Sequence, residues 1–167
     1  GYHLDAGKFA GLLTRNATQQ LDVKHISADV TGVLADDEGY ITAVQTAQQG
    51  EISGDLFIDC TGFQSLLLGQ HYNVPLTSQR HHLFNNAAVA VQVPYADEKD
   101  SIAATTRSTA QPNGWVWDIG LQNRRGVGHV FSTDYQSPKE TEQKLDEYLK
   151  STGRSEGLSG LTQTVRI

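Results

Sequence analysis

The spacing of hydrophobic positions predicts a helix near the start of the chain. Phe9, Leu12 and Leu13 recur at helical spacing behind Asp5, whose carboxylate can cap the free N–H groups of a first turn. The segment 21–26 is short and contains β-branched residues, which predicts a strand. The chain therefore opens with a helix followed by a strand.

The apolar runs that follow are shorter, which indicates strands. Residues 30–34, 40–46 and 51–53 alternate with polar turns and predict an antiparallel meander. Residues 55–58 form a continuous apolar run, which predicts a strand buried on both faces. This run ends abruptly at Asp59.

Four more strands are predicted at residues 87–93, 105–110, 115–121 and 127–132. Ser137, Pro138 and Glu140 then supply an N-cap, a first-turn proline and a capping box, which predict a second helix. Together these elements predict an α/β fold of α+β character. We expect residues 1–68 and 69–167 to form separate lobes.

Composition narrows the possible partners and cofactors. The net charge of −6 comes from scattered acids, and without a basic stripe we expect no nucleic-acid partner. No apolar run approaches the roughly 20 residues of a membrane helix, so we expect no membrane partner. The single cysteine, Cys60, rules out an internal disulfide and fits a cytoplasmic protein. No residues have metal-ligand spacing, and we expect no metal.

The end of the predicted buried strand could bind a cofactor. Gly62 would let the backbone approach a phosphate, and Asp59 could accept a hydrogen bond from a ribitol or ribose hydroxyl. The alternative is an ordinary junction between a strand and a turn, where Asp and Gly are common. The local pattern alone favours the junction.

The most distinctive motif is Gly-Trp-Val-Trp-Asp-Ile at residues 114–119. Trp115 and Trp117 are the only two tryptophans of the chain, and on a strand they point to the same face. Two core or cross-strand aromatic residues would show the same spacing. The spacing therefore predicts a paired aromatic face but no chemistry.

The sequence resembles the flavin-dependent tryptophan halogenases of the FAD-dependent aromatic hydroxylase-like superfamily. The resemblance runs from about Tyr2 to Leu149, through Tyr-His-Leu-Asp at residues 2–5, residues 54–63 and the tryptophan motif. The family motif ends in proline after its isoleucine, whereas this chain has Gly120. Glycine there is expected to loosen the strand end.

The resemblance implies a partial FAD-binding dinucleotide fold with a meander, followed by part of a β-sheet substrate domain with a C-terminal helix. It implies that Asp59, Thr61 and Gly62 bind the cofactor. It also implies that the motif residues, with Ile119 closing the run, line the passage between flavin and substrate. The residues that take this second role are Trp115, Trp117 and Ile119.

The resemblance further implies an enzyme that uses FADH₂ from a separate flavin reductase, O₂ and a halide ion to halogenate tryptophan or another electron-rich aromatic. The family's catalytic lysine and Gly-x-Gly-x-x-Gly fingerprint are expected upstream of Gly1. We therefore predict no catalytic residue in this chain, which would be an inactive internal fragment. Two alternatives stay open: an FAD-dependent aromatic monooxygenase, and a non-catalytic β-rich binding domain.

Overall fold

The computed structural model describes residues 2–95, 97 and 99–153, and the backbone of residues 162–166. Its elements are α1 (Ala6–Gln20), β1 (Val30–Ala35), β2 (Ile41–Thr46), β3 (Gly50–Ser53), a 3-10 turn (Gly62–Gln64), a π-helix (Leu66–His71), β4 (Ala87–Pro94), β5 (Arg107–Gln111), β6 (Gly114–Gly120), β7 (Arg124–Phe131), α2 (Pro138–Ser151) and β8 (Thr162–Arg166). They confirm a mixed α/β chain with antiparallel sheets. Residues 151–160 form a tail that is rich in Ser and Gly, and positions 154–160 of it lie outside the described residues.

The chain divides into two compact units. Residues 13–78 form one, called here the meander unit, and residues 1–12 with 79–167 form the other, called the sheet unit. The predicted lobes, 1–68 and 69–167, were defined by their expected cofactor and substrate roles. That functional division stays a prediction.

Helix α1 begins as predicted. The Asp5 carboxylate accepts hydrogen bonds from the backbone N–H groups of Gly7, at 3.1 Å, and Lys8, at 3.2 Å, which satisfies two free donors of the first turn. The strand predicted at residues 21–26 was wrong. No described strand pairs with this segment, and without a partner its β-branched residues cannot build a ladder.

In the meander unit, β1, β2 and β3 form the predicted antiparallel sheet in that order. The turn between β1 and β2 is fixed by Asp36, whose side chain accepts from the backbone N–H groups of Glu38 and Tyr40. In β2 the side chains of Ala43 and Thr46 are buried, whereas those of Thr42 and Gln45 are exposed.

The buried strand predicted at residues 55–58 was also wrong. The segment pairs with none of the described strands, and the side chains of Leu56 and Ile58 are 81% and 79% exposed. An apolar run becomes a strand only where a sheet edge offers hydrogen-bond partners. Residues 55–58 do not pair with the edge strands of either described sheet.

In the sheet unit, five antiparallel strands follow the order β5-β6-β7-β4-β8. Helix α2 packs against β4 and β7. The core between them consists of Ala87, Val89, Val91, Val93, Val116, Val127, Phe131, Leu145 and Leu149, with Tyr148 at its edge. The four strands predicted in this half of the chain are thereby confirmed.

Helix α2 also begins as predicted. The Ser137 hydroxyl accepts from the Glu140 backbone, and the Glu140 carboxylate accepts from the Ser137 backbone, which completes the capping box. Gly153 follows the last turn at φ +98°, a conformation that glycine adopts without strain. No helix in the described part of the chain is long and apolar enough to cross a membrane.

Candidate functional site

Strand β6 presents alternate residues to opposite faces of its sheet, as the motif spacing predicts. The rings of Trp115 and Trp117 lie on one face with their centroids 6.2 Å apart and their planes tilted by 60°. This is within the range of favourable aromatic pairs. Trp115 is 38% exposed, Trp117 is half-buried, and Ile119 continues the same half-exposed row.

The glycine that opens the motif has a steric reason. Gly114 lies opposite Phe131 where β6 begins. A Cβ atom on Gly114 would lie 1.8 Å from the backbone oxygen of Val130, so no side chain fits between the strands at this point. Gly114 therefore permits β6 to start directly beside β7 and places Trp115 on the open face.

The opposite face of β6 holds a buried ion pair. The Arg125 guanidinium donates from Nε to Asp118 Oδ1 at 3.0 Å and from one terminal nitrogen to Oδ2 at 2.5 Å. Side-chain exposure is 5% for Asp118 and 15% for Arg125. Tyr148 and Thr152 of the α2 segment complete the cluster, at 3.1 Å from Asp118 Oδ2 and 3.0 Å from the guanidinium.

The electrostatics of the cluster follow from this geometry. The hydrogen bond to Asp118 raises the pKa of Arg125, which keeps the guanidinium charged despite its burial. Burial, followed by the Asp118 charge, raises the pKa of the Tyr148 phenol, so Tyr148 stays a neutral donor. These contacts make the cluster a structural one that joins β6 and β7 to α2.

Gly120 ends β6 without breaking it. The residue is buried and pairs with Arg125, so the ladder holds to the last position of the strand. A Cβ atom there would lie 3.0 Å from the carbonyl oxygen of Ala103 and 3.1 Å from Ile102, which leaves little room for a side chain. The His3 Nδ1 atom lies 3.0 Å from the Gly120 carbonyl oxygen. The expectation that glycine loosens this strand end is therefore not met.

A cavity of about 600 Å³ adjoins this strand end within the sheet unit. Its lining includes the apolar side chains of Phe9, Leu12, Ile102 and Leu121, with His3 as a polar group. The volume falls in the range of small-molecule sites.

In the meander unit, the Asp59 carboxylate organises the predicted cofactor loop. It accepts hydrogen bonds from the Thr61 hydroxyl at 2.6 Å, from the Thr61 backbone N–H at 3.1 Å, and from the backbone N–H groups of Leu67 and Leu68 at 2.9 and 3.2 Å. These bonds, that from the Thr61 side chain foremost, lower the Asp59 pKa to about 2. The carboxylate therefore caps the π-helix that follows.

Gly62 turns the loop at φ +63°, which favours glycine. No atom lies within 4 Å of the position a Cβ would take, so its backbone faces open space. Cys60, next to Asp59, is exposed, because the preceding segment is not part of a sheet.

A buried histidine was missed by sequence reasoning. His129 on β7 is fully buried, and neither ring nitrogen has a hydrogen-bond partner among the described residues. Burial, and then the nearby Lys144 charge, lower its pKa, so the ring is neutral. The backbone of Thr141 lies near the ring and opposes this lowering of the His129 pKa. It does not have the geometry of a hydrogen bond to either ring nitrogen. No signal in the sequence marks this position apart from its place in an apolar strand.

The structure therefore brings the predicted residues together in two groups. Asp59, Thr61 and Gly62 share one loop of the meander unit, whereas Trp115 and Trp117 share one strand face of the sheet unit. Among the described residues, no three His, Cys, Asp or Glu side chains are grouped as a metal site would require.

These features define a mixed α/β protein with a glycine loop in one unit and a tryptophan-bearing sheet face in the other. The chain belongs to the tryptophan halogenase family, which it matches over residues 1–161. It is 44% identical over 148 residues to the 7-chloro-L-tryptophan 6-halogenase KtzR of Kutzneria sp. (strain 744), and 43% identical to the tryptophan 6-halogenase SttH of Streptomyces toxytricini. Each alignment covers 89% of this chain and 28% of the relative, so the chain spans under a third of their length.

Solved structures agree with this membership. A tryptophan halogenase from Shewanella frigidimarina NCIMB 400 superposes with a TM-score of 0.91 at 48% identity, covering all of this chain and 32% of that one. BrvH, a flavin-dependent halogenase from Brevundimonas sp. BAL3, superposes with a TM-score of 0.85 at 32% identity, covering 98% of this chain and 32% of that one. The predicted family and fold class are thereby confirmed.

Proposed function

We propose that this chain is part of a flavin-dependent halogenase that uses FADH₂, O₂ and a halide ion to halogenate an electron-rich aromatic such as tryptophan. The observation that carries the proposal is the paired face of Trp115 and Trp117 on β6, within a chain that belongs to the tryptophan halogenase family. Relatives named as tryptophan 6- and 7-halogenases support the substrate class.

The loop around Gly62 is our candidate for contact with the flavin nucleotide. Its backbone faces open space, so a polar ligand can approach Thr61 and Gly62 closely. The Asp59 carboxylate is already engaged by four hydrogen bonds, and a cofactor hydroxyl would have to displace one of them. We therefore assign FAD contact to Thr61 and Gly62, and to Asp59 the role of holding their loop.

When bound and reduced, FAD would supply the two electrons that bring O₂ to the oxidation level of peroxide, which can then take two electrons from the halide. The protein would orient the reactants and exclude water. Trp115, Trp117 and Ile119 have no group that titrates near neutral pH, so their role is steric. They form an apolar wall that keeps the aromatic substrate away from the flavin and disfavours hydroxylation. The reduced flavin would come from a separate reductase in the cytoplasm.

The test is a product analysis of the full-length protein that contains this chain, incubated with FAD, NADH, a flavin reductase, bromide or chloride, and tryptophan. A halogenated product, identified by its isotope pattern in mass spectrometry, is expected. Trp117→Ala should increase the fraction of hydroxylated product, because the wall is opened. Tyr135→Ala, which removes an exposed aromatic outside the motif, is the matched control and should not change that fraction. Products that are only hydroxylated would establish the monooxygenase alternative.

Cofactor binding gives a second test. The chain contains no Gly-x-Gly-x-x-Gly fingerprint for the pyrophosphate. We expect the 167-residue chain alone to bind FAD weakly or not at all. Tight stoichiometric binding in a fluorescence titration would contradict this, and would show that the meander unit holds the cofactor without the fingerprint.

A further inference from the structure

We propose that Gly128 is a positioning residue for Trp117: its missing side chain lets the indole lie across β7 and so sets the shape of the aromatic face. The functional consequence rests on the proposed function, because it concerns the face that would separate substrate from flavin. The positioning itself is a property of the fold and can be measured without any activity.

The evidence is the space that the indole takes. Trp117 and Gly128 lie directly opposite each other in the β6–β7 ladder, where the Cβ atoms of facing residues normally lie about 4.5–5.5 Å apart. A Cβ atom on Gly128 would be 2.1, 2.2 and 2.7 Å from Cζ2, Cη2 and Cε2 of the Trp117 indole. Carbon atoms in contact are about 3.5–4.0 Å apart. The ring therefore occupies the volume that any side chain at position 128 would need.

The backbone gives no other reason for glycine there. Gly128 lies within a regular strand, and it is not among the glycines with positive φ. Any residue could adopt its conformation, and glycine within a strand carries an entropic cost that other residues avoid. The indole is thus the feature of the described structure that explains a glycine at this position.

The same strand supplies a matched comparison. Gly126 lies two residues before Gly128, on the same face of β7 and opposite Ile119. It also lacks a positive φ, and no atom lies within 4 Å of the position its Cβ would take. Alanine should therefore be accommodated at Gly126 and should displace a neighbour at Gly128.

The displaced neighbour would be the indole, because it is the movable partner. Trp117 is half-buried, and its ring can turn about two side-chain bonds, whereas β7 is held by ladders on both sides. Turning the ring changes its distance and tilt to Trp115, now 6.2 Å and 60°. A single methyl group at position 128 thus reshapes both halves of the tryptophan pair.

The structural test is circular dichroism of the tryptophan bands in Gly128→Ala and Gly126→Ala. Two indoles this close couple their electronic transitions, and their signal depends on distance and tilt. Gly128→Ala is expected to lose or reverse the pair's contribution, which is defined as the part removed by Trp115→Phe. Gly126→Ala should keep it. A Gly128→Ala spectrum identical to that of the parent protein would overturn the proposal.

A double variant provides a second test in case Gly128→Ala folds poorly. In Trp117→Ala the ring is gone, so adding Gly128→Ala should not lower the thermal unfolding midpoint further. If the same loss of midpoint appears with and without Trp117, the glycine serves the backbone, and the proposal fails.

The activity arm separates this inference from the proposed function. If the full-length protein that contains this chain halogenates tryptophan, Gly128→Ala in it should raise KM by about tenfold with little change in kcat, as expected for altered substrate seating. Gly126→Ala should match the parent protein. A spectral change with an unchanged KM would refute the link between Gly128 and substrate binding. Absence of halogenation in every variant would refute the proposed function. The positioning role of Gly128 would then be decided by the circular dichroism result alone.

Discussion

Removing the Asp118 carboxylate should destabilise the protein far more than removing a carboxylate from its surface. In Asp118→Ala the Arg125 guanidinium, only 15% exposed, keeps its charge but loses both hydrogen bonds to the carboxylate. The Tyr148 hydroxyl loses a partner at the same time. Breaking a buried pair from one side typically costs about 3–5 kcal/mol, because the remaining charge is neither solvated nor paired.

The chain contains a matched surface control. Arg80 and Asp134 also form an ion pair, but their side chains are 51% and 56% exposed. Exposed pairs contribute roughly 0–1 kcal/mol, since water solvates the partner that is left. Asp134→Ala should therefore lower the free energy of unfolding by several-fold less than Asp118→Ala.

The assay is urea unfolding followed by far-UV circular dichroism, with the free energy of unfolding extrapolated to water. A third variant isolates the cause: replacing both members of the buried pair by leucine should recover much of the loss, because no unpaired charge remains. Equal losses in Asp118→Ala and Asp134→Ala would refute the reasoning. They would mean that water reaches the guanidinium beneath α2.

Two other predictions concern the same unit. Burial lowers the pKa of His129 below its ordinary 6.5, so the unfolded chain takes up a proton first and stability should fall as the pH drops below about 6.5. His129→Phe should remove this dependence from urea-unfolding data collected across that range, and an equally steep curve in the variant would assign it to other groups. Ser137→Ala should lower the free energy of unfolding by about 1 kcal/mol, because it removes the N-cap of α2. Ser151→Ala, at the other end of the helix, should lower it by less. Equal losses would show that the capping box does not stabilise the helix.

The elements that could be predicted from the sequence are those whose causes are local. Helix α2 is specified by Ser137 and Glu140, three residues apart, and by apolar positions one turn apart. The meander follows from alternation and turn residues within about 25 positions. Trp115 and Trp117 point to the same face of the sheet because side chains on a strand alternate with a period of two residues. Each of these features depends only on residues that are close together in the sequence, so the sequence alone predicts it.

The features that could not be predicted depend on which strands pair, and in what register. Residues 55–58 have the composition of a buried strand, but among the described residues they have no partner. Asp118 and Arg125 are seven positions apart, and only the hairpin register places their side chains on the same face. The match of Gly128 to Trp117 likewise depends on the register, because a slip of one residue would move Gly128 to the other face.

That register also makes β6 a strand with two separable roles. Val116 is fully buried against the core, whereas its neighbour Trp115 is 38% exposed on the open face. Val116→Ala should lower the free energy of unfolding by roughly 2 kcal/mol, from two buried carbon groups and the cavity they leave, without changing the tryptophan pair signal. Trp115→Phe should abolish that signal at a smaller cost in stability. If both variants changed both quantities equally, the two faces would be coupled through the strand, and the aromatic wall could not vary independently of the core that supports it.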